Sequence, residues 1–143
     1  MHPYDARLPD TDSDGVPDSC DNCPAAPNRL QLDCNGNGIG DACDASLYDV
    51  RILTNTSLGK GSGEVVWSTV CETDLRGFNV VMIDNQGGRT RLNTVPIPCT
   101  QCITGGGDTY TTFIPKHKSA RNIYLEVLYR TSANLIVGPA VKQ

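Results

Sequence analysis

The sequence predicts a mostly β fold, in which an irregular acidic segment at residues 10–44 precedes a sandwich of about seven short strands. In the first part, carboxylate and amide side chains recur at every second position. In the second part, residues 45–143, short apolar runs alternate with turn residues at intervals of about eight to twelve residues, which is typical of a β-sandwich. No stretch sustains the apolar period of about 3.6 residues that an amphipathic helix requires.

The charge of the chain is divided between these two parts. Residues 1–50 contain ten Asp, no Glu and two Arg, for a net charge of −8, whereas the remainder contains ten Lys or Arg and six acids, for a net charge of +4. This division favours a cation site and argues against nucleic-acid binding, because the basic part has no concentrated patch with interleaved aromatic residues. No run of about twenty apolar residues that could span a membrane is present.

Residues 1–9 are expected to form a loose lead-in. They lack the charged and apolar regions of a secretion signal, so we expect the chain to be a fragment or a mature form. The acidic segment is expected to end at residue 44, where the alternating polar pattern stops.

Two runs of oxygen-bearing side chains make up the acidic segment, and each run has a glycine after its fifth position. A hard cation such as Ca²⁺ takes about six to eight oxygen ligands, which a short loop provides by wrapping around the ion. A backbone carbonyl two residues after the fifth position closes the ring, and glycine permits the sharp turn. We therefore expect about two or more calcium ions. The expected ligands are Asp10, Asp12, Asp14, the carbonyl of Val16, Asp18 and Asp21 in the first run, and Asp33, Asn35, Asn37, the carbonyl of Ile39, Asp41 and Asp44 in the second.

The spacing resembles the thrombospondin type 3 repeat, D-x-D-x-D-G-x-x-D-x-x-D-N-C followed by N-x-x-Q-x-D-x-D-x-D-G-x-G-D-x-C-D. The chain departs from this pattern at Asn35 and Asn37, where the repeat has Asp, and by the additional Cys20 and Cys34. The resemblance implies calcium ligation by the acidic residues and a segment wound around its ions with almost no hydrophobic core. The two amides are expected to weaken the second site, because affinity follows ligand charge. A solvated acidic linker is the alternative interpretation.

The chain contains seven cysteines, and four of them lie in this segment. Seven cysteines beside an oxygen-rich calcium motif argue for an oxidising compartment. The resemblance implies a disulfide between Cys23 and Cys43, which leaves Cys20 and Cys34 to pair with each other as a second brace. A zinc site formed by the four cysteines is the alternative, but zinc would leave the oxygen pattern unexplained.

The three remaining cysteines cannot all pair within one chain. We expect a Cys99–Cys102 disulfide and an unpaired Cys71, present as a small buried thiol or in an intermolecular disulfide. A bond from Cys71 to either of the other two stays open as an alternative.

The strands of the sandwich are expected where β-branched and aromatic residues cluster between turn residues. Residues 85–88 and 131–134 have the composition of hairpin turns. The expected strands are residues 47–53, 64–69, 77–84, 89–93, 110–114, 122–130 and 135–141.

The motif W-S-T-x-x-E-x-D-x-x-G-F-N-V, which begins at Trp67, resembles a stretch in the fibronectin type III-like domains of bacterial surface proteins. The resemblance implies a seven-stranded sandwich of immunoglobulin/fibronectin III type, with Trp67 buried in its core and Phe78 and Val80 facing it. It implies no activity, because such sandwiches carry many unrelated functions.

Catalytic motifs are missing from the sequence. It contains no nucleophile elbow and no phosphate loop, and its two histidines lie in the lead-in and in the basic run at residues 116–121. We therefore expect no enzyme and no catalytic residue. The basic run is expected to be a solvated loop, or alternatively a contact for an acidic partner such as a glycan.

Together these patterns predict an extracellular or cell-surface calcium-binding structural protein without a transmembrane segment. The expected partners are other surface or matrix proteins, including copies of the chain itself, associated through sheet edges into fibres. The alternative hypothesis is a glycan- or ligand-binding accessory module of a larger secreted enzyme.

Overall fold

A computed structural model describes residues 7–54, 63–102, 105–114 and 122–142. These ranges contain no α-helix, and two short 3₁₀ turns, Asp41–Cys43 and Ala45–Leu47, connect the irregular acidic segment to the strands. Neither turn is long or apolar enough to cross a membrane. The strands are β1 (Tyr48–Thr54), β2 (Gly63–Thr69), β3 (Leu75–Ile83), β4 (Arg89–Arg91), β5 (Ile97–Pro98), β6 (Thr109–Ile114), β7 (Ile123–Tyr129), β8 (Leu135–Val137) and β9 (Val141–Lys142).

The strands form two sheets. The first has the order β6-β2-β1-β9, and the second has the order β4-β3-β7-β8, with β5 paired to β3. Neighbouring strands are antiparallel except for β1 and β9, which are parallel. This mostly β, two-sheet and disulfide-bonded architecture confirms the predicted fold class.

Each of the seven predicted strands is present, with boundaries that shift by a few residues, but two details differ. The short β5 was not predicted, because a two-residue strand that ends in proline has no alternating pattern. The last predicted strand, 135–141, is divided into β8 and β9, which belong to different sheets. The division falls at Gly138–Pro139, where proline lacks the N–H that would continue the ladder.

The core lies between the two sheets, and Trp67 is at its centre with no exposed surface. Its ring centroid lies 5.5 Å from that of Phe78 and 5.4 Å from that of Tyr110. Phe78 and Val80 are also fully buried in the same cluster, as the motif implied. Fully burying such side chains contributes about 1.5–3 kcal/mol each, so this cluster is the main apolar contribution to folding.

The acidic segment packs against one end of the sandwich. The Tyr129 hydroxyl donates to the Asp41 carbonyl (2.7 Å) and lies 2.8 Å from the Tyr48 hydroxyl. The Ala133 N–H, in the turn between β7 and β8, donates to the Pro27 carbonyl (2.8 Å). Ordered contacts at both halves of the segment therefore fix it on the sheets. The predicted division at residue 44 stays a prediction.

The disulfides add to this attachment and correct one expectation. Cys23–Cys43 and Cys99–Cys102 are paired as expected from the sequence. The expected Cys20–Cys34 disulfide is not formed, and Cys71 is not unpaired, because Cys34 bonds to Cys71. Cys20 lies outside the three disulfides.

Cys34 pairs with Cys71 because of a tertiary contact between the acidic segment and the sandwich. The acidic segment does not stand apart from the sandwich, and packing brings the Cα atoms of Cys34 and Cys71 to 6.5 Å, within the usual range for a disulfide. Cys71 lies in the connection between β2 and β3, with 8% of its surface exposed.

Candidate metal centre

The acidic segment contains two copies of one loop, separated by 23 residues in the sequence. In the first copy the Asp18 N–H donates to the Pro9 carbonyl, and in the second the Asp41 N–H donates to the Leu32 carbonyl, both at 2.8 Å. We refer to residues 10–21 as the first loop and to residues 33–44 as the second loop.

The backbone of the two loops turns at matching positions. Ser13 and Gly36 have φ values of 62° and 68°, and Gly15 and Gly38 have φ values of 97° and 86°. Glycine adopts this left-handed region without a steric cost, whereas the Cβ atom of Ser13 makes it less favourable. The positions of the glycines noted in the sequence are thus explained by the turn.

In the first loop, the side chains of Asp10, Asp12 and Asp14 each accept a backbone N–H of the loop with one oxygen. Asp12 Oδ1 accepts the N–H of Asp14 (3.1 Å), and Asp14 Oδ1 accepts the N–H of Val16 (2.8 Å). Asp10 Oδ2 accepts the N–H of Gly15 (3.0 Å). These local hydrogen bonds orient the side chains so that the other oxygens of Asp10 and Asp12 are available to the loop centre, whereas Asp14 Oδ2 also accepts the N–H of Asn28 (2.8 Å).

At that centre, one oxygen from each of Asp10, Asp12 and Asp14 lies within 4.8 Å of the others. Asp10 Oδ1, Asp12 Oδ2 and Asp21 Oδ2 are buried and accept no hydrogen bond from the described residues. Burial raises the pKa of Asp12, and three neighbouring carboxylates add to this rise against the lowering effect of the Asp14 N–H. Buried, unpaired carboxylate oxygens are costly unless a cation balances them.

Asp21 completes the first loop at its twelfth position. Its Oδ1 accepts the Cys23 N–H and the Gln31 side-chain amide, both at 2.8 Å, so its Oδ2 is fixed in place. Asp18 is oriented differently, because its two oxygens accept the backbone N–H (2.8 Å) and the hydroxyl (2.7 Å) of Thr11. Ligation by Asp18 and by the Val16 carbonyl stays a prediction.

The second loop has the same local hydrogen bonds with different inward atoms. Asn35 Oδ1 accepts the Asn37 N–H (3.3 Å), and Asn37 Oδ1 accepts the Ile39 N–H (2.9 Å). Their amide nitrogens donate to Asp44 Oδ2 at 3.2 and 2.9 Å. Asp33 Oδ2 accepts the Gly38 N–H (2.9 Å). Calcium ligation by this loop also stays a prediction.

Two buried acids of the second loop differ in their surroundings. Burial raises the pKa of Asp41, against the effect of one hydrogen bond from the Cys34 N–H. Burial acts in the same direction on Asp44, but hydrogen bonds from Ser46 and the two asparagine amides together hold its pKa below the usual value. Cys34, Asp41 and Cys71 also lie close together, but the disulfide occupies both sulfurs, which are therefore not thiolate ligands.

Comparison with protein families finds a similarity that includes the first loop. Residues 8–31 match the family model of the thrombospondin type 3 repeat. The match covers the whole first loop and ends before the second loop. No curated protein and no solved structure matches the chain. The fibronectin III-like resemblance of the sandwich is consistent with the two-sheet fold, and no family match names it.

Sequence reasoning gave no role to Glu72, which is fully buried. Its carboxylate accepts the Thr69 hydroxyl (2.8 Å), the Tyr110 hydroxyl (2.5 Å) and the Gln101 N–H (2.7 Å). These bonds hold the Cys99–Cys102 loop against β2 and β6. The sequence signal that could have indicated this role is that Glu72 lies within the motif that begins at Trp67. The basic run at residues 116–121 lies outside the described residues.

Proposed function

We propose that the protein is an extracellular calcium-binding structural protein in which Ca²⁺ in the first loop rigidifies the acidic segment beside the β-sandwich. The observation that carries this proposal is the set of three buried carboxylate oxygens, from Asp10, Asp12 and Asp21, that accept no hydrogen bond from the described residues. Ca²⁺ binds carboxylate oxygens, and a loop of this type supplies them from alternate positions. Asp14 and the carbonyl of Val16 complete the proposed ligand set.

The effect of calcium is mechanical. Without a cation, the clustered carboxylates repel one another and favour an open loop. With the ion bound, the loop is held closed, and calcium stabilises the folded segment by mass action. The family match to a calcium-binding repeat supports the proposal.

A short path connects the ion site to the sandwich. Asp14 Oδ2 accepts the N–H of Asn28 (2.8 Å). The preceding residue, Pro27, accepts the Ala133 N–H from the turn between β7 and β8 (2.8 Å). A carboxylate of the ion site thus holds the residue next to a sandwich contact. Calcium binding is therefore expected to order this contact as well as the loop.

We also propose that this function is non-catalytic. The carboxylates of the first loop are placed around a shared centre, where they serve as metal ligands and not as an acid–base pair. Support for a location outside the cell comes from the three disulfides and from the family match.

Self-association into fibres is the finer form of the proposal. Support comes from β6, which pairs only with β2 among the described residues and carries Phe113 with 60% of its surface exposed. Such an edge offers free backbone groups to another strand, whereas the β4 edge of the second sheet carries Arg89 and Arg91, which discourage pairing. Sedimentation velocity across a concentration series tests this proposal, and a monomer at every concentration with saturating calcium would refute it.

The accessory-module hypothesis depends on the basic run at residues 116–121. Binding to a glycan array that is lost when Lys116 and Arg121 are changed to Ala would support it, whereas unchanged binding in that variant would contradict it. Other surface or matrix proteins stay predicted partners.

Calorimetric titration of chelator-stripped protein with Ca²⁺ tests the calcium site. We expect the Asp12→Asn variant to lose affinity by about tenfold or more, which corresponds to about 1.4 kcal/mol of binding free energy. The matched control is Asp84→Asn, because Asp84 is an exposed acid that likewise accepts nearby backbone N–H groups. Equal affinities in the wild type and both variants would refute the assignment.

A further inference from the structure

The two loops share a backbone but differ in the atoms that face their centres. At the third and fifth positions, Asp12 and Asp14 of the first loop correspond to Asn35 and Asn37 of the second. In both loops each of these side chains accepts a backbone N–H of its own loop with one terminal oxygen, which leaves the other terminal atom for contacts elsewhere, such as the Asn28 N–H that Asp14 Oδ2 accepts. That atom is a carboxylate oxygen in the first loop and an amide nitrogen in the second.

The acid at the twelfth position shows the consequence. In the first loop, Asp21 Oδ2 is buried and accepts no hydrogen bond from any described residue. In the second loop, the equivalent Asp44 Oδ2 accepts the amide nitrogens of Asn35 (3.2 Å) and Asn37 (2.9 Å). The other oxygen of Asp44 accepts the N–H of Ser46 at 3.0 Å. Donors therefore surround the carboxylate that would otherwise require a cation.

The acid at the first position differs in the same way. Asp10 Oδ1 has no donor among the described residues. Both oxygens of the equivalent Asp33 are occupied, since Oδ1 accepts the N–H groups of Gly36 (2.9 Å) and Asn37 (3.2 Å), and Oδ2 accepts that of Gly38 (2.9 Å).

We propose that the second loop closes through hydrogen bonds instead of calcium, with the amide nitrogens of Asn35 and Asn37 in the place of the ion. To ligate calcium, each amide would have to rotate and present its oxygen inward. That rotation would direct its NH₂ group at the N–H of Asn37 or Ile39, and it would remove both donors from Asp44. The residues of the second loop therefore do not fit the ion that the repeat family implies.

The two loops consequently have different tasks. The second loop contains Cys34, which is bonded to Cys71, and Asp41, whose carbonyl accepts the Tyr129 hydroxyl at 2.7 Å. The loop that needs no ion is thus the one fixed to the sandwich. Loss of calcium is expected to loosen residues 10–21 while the second loop stays anchored.

This inference rests on the proposed function in one respect: the first loop, with its proposed calcium ion, is the reference with which the second loop is compared. Two measurements test it. In the first, Ca²⁺ is titrated calorimetrically into the wild type and into the Asn35→Asp/Asn37→Asp variant. We expect the variant to bind one more Ca²⁺ per chain than the wild type. The control is Asn85→Asp/Asn134→Asp, which adds the same two charges at exposed positions outside the loops and should bind the wild-type number.

The second measurement uses the wild type alone and so does not depend on a variant that folds. Amide hydrogen exchange is followed with saturating Ca²⁺ and with chelator. We expect the Gly15 amide to exchange at least about tenfold faster after chelation, and the Gly38 amide to exchange at an unchanged rate.

The outcomes separate this inference from the proposed function. No additional ion in the Asn35→Asp/Asn37→Asp variant, or a tenfold acceleration at Gly38, would overturn the inference while a calcium-sensitive first loop stands. A wild type that binds no Ca²⁺, beside a variant that gains one ion, would overturn the proposed function and support the inference.

Discussion

The disulfide between Cys34 and Cys71 is expected to contribute more to the free energy of unfolding than the Cys99–Cys102 disulfide. It closes a separation of 37 residues, whereas the Cys99–Cys102 disulfide closes a separation of three. The loop-entropy relation gives about 3.8 kcal/mol for the first and about 1.6 kcal/mol for the second at 25 °C. Replacing both members of each pair by Ser leaves no new thiol and tests the two values separately.

The assay is urea unfolding at saturating Ca²⁺, followed by the fluorescence of Trp67, which lies at the centre of the core. We expect the Cys34→Ser/Cys71→Ser variant to lose about 2 kcal/mol more free energy of unfolding than the Cys99→Ser/Cys102→Ser control, by the same relation. An equal or smaller loss in the first variant would refute the reasoning, because it would mean that the acidic segment is not held to the sandwich in solution.

Three further substitutions test individual contacts by the same unfolding assay. Tyr129→Phe removes the donor to the buried Asp41 carbonyl and is expected to cost about 1–3 kcal/mol, so a cost below about 0.5 kcal/mol would contradict the contact. Gly40→Ala places a methyl group 2.3 Å from the Asn22 amide oxygen, and the resulting displacement should cost about 1–3 kcal/mol; wild-type stability would show that this part of the segment is open. Glu72→Gln replaces a buried carboxylate that accepts three hydrogen bonds and should lower the free energy of unfolding by about 1.5–3 kcal/mol. An unchanged free energy of unfolding would contradict the burial of this carboxylate.

Local patterns in the sequence were sufficient for most of the strands and for the loop positions. The strand expected at residues 64–69 is present as β2, and its buried and partly exposed residues alternate, with Trp67 in the core as expected. The glycines after the fifth loop positions, Gly15 and Gly38, have the left-handed φ values that the calcium-loop pattern requires. These features depend on near neighbours in the chain, which is why the sequence alone predicts them.

Features that depend on contacts between distant parts of the chain could not be predicted from local sequence patterns. The bond from Cys34 to Cys71 requires the segment to fold back onto the sandwich, and no spacing rule contains that information. The sequence indicated that Asn35 and Asn37 would weaken a site. It did not indicate that their nitrogens donate to Asp44, because the orientation of an amide depends on the hydrogen bonds that surround it.

The central claim, a calcium ion in the first loop, is tested most directly by an anomalous difference map from crystals grown with Ca²⁺. We predict a peak within about 2.3–2.6 Å of carboxylate oxygens of Asp10, Asp12 and Asp21, the usual range for calcium ligands. Ordered density for the first loop without a peak at its centre, in crystals that show calcium bound elsewhere on the chain, would contradict the account.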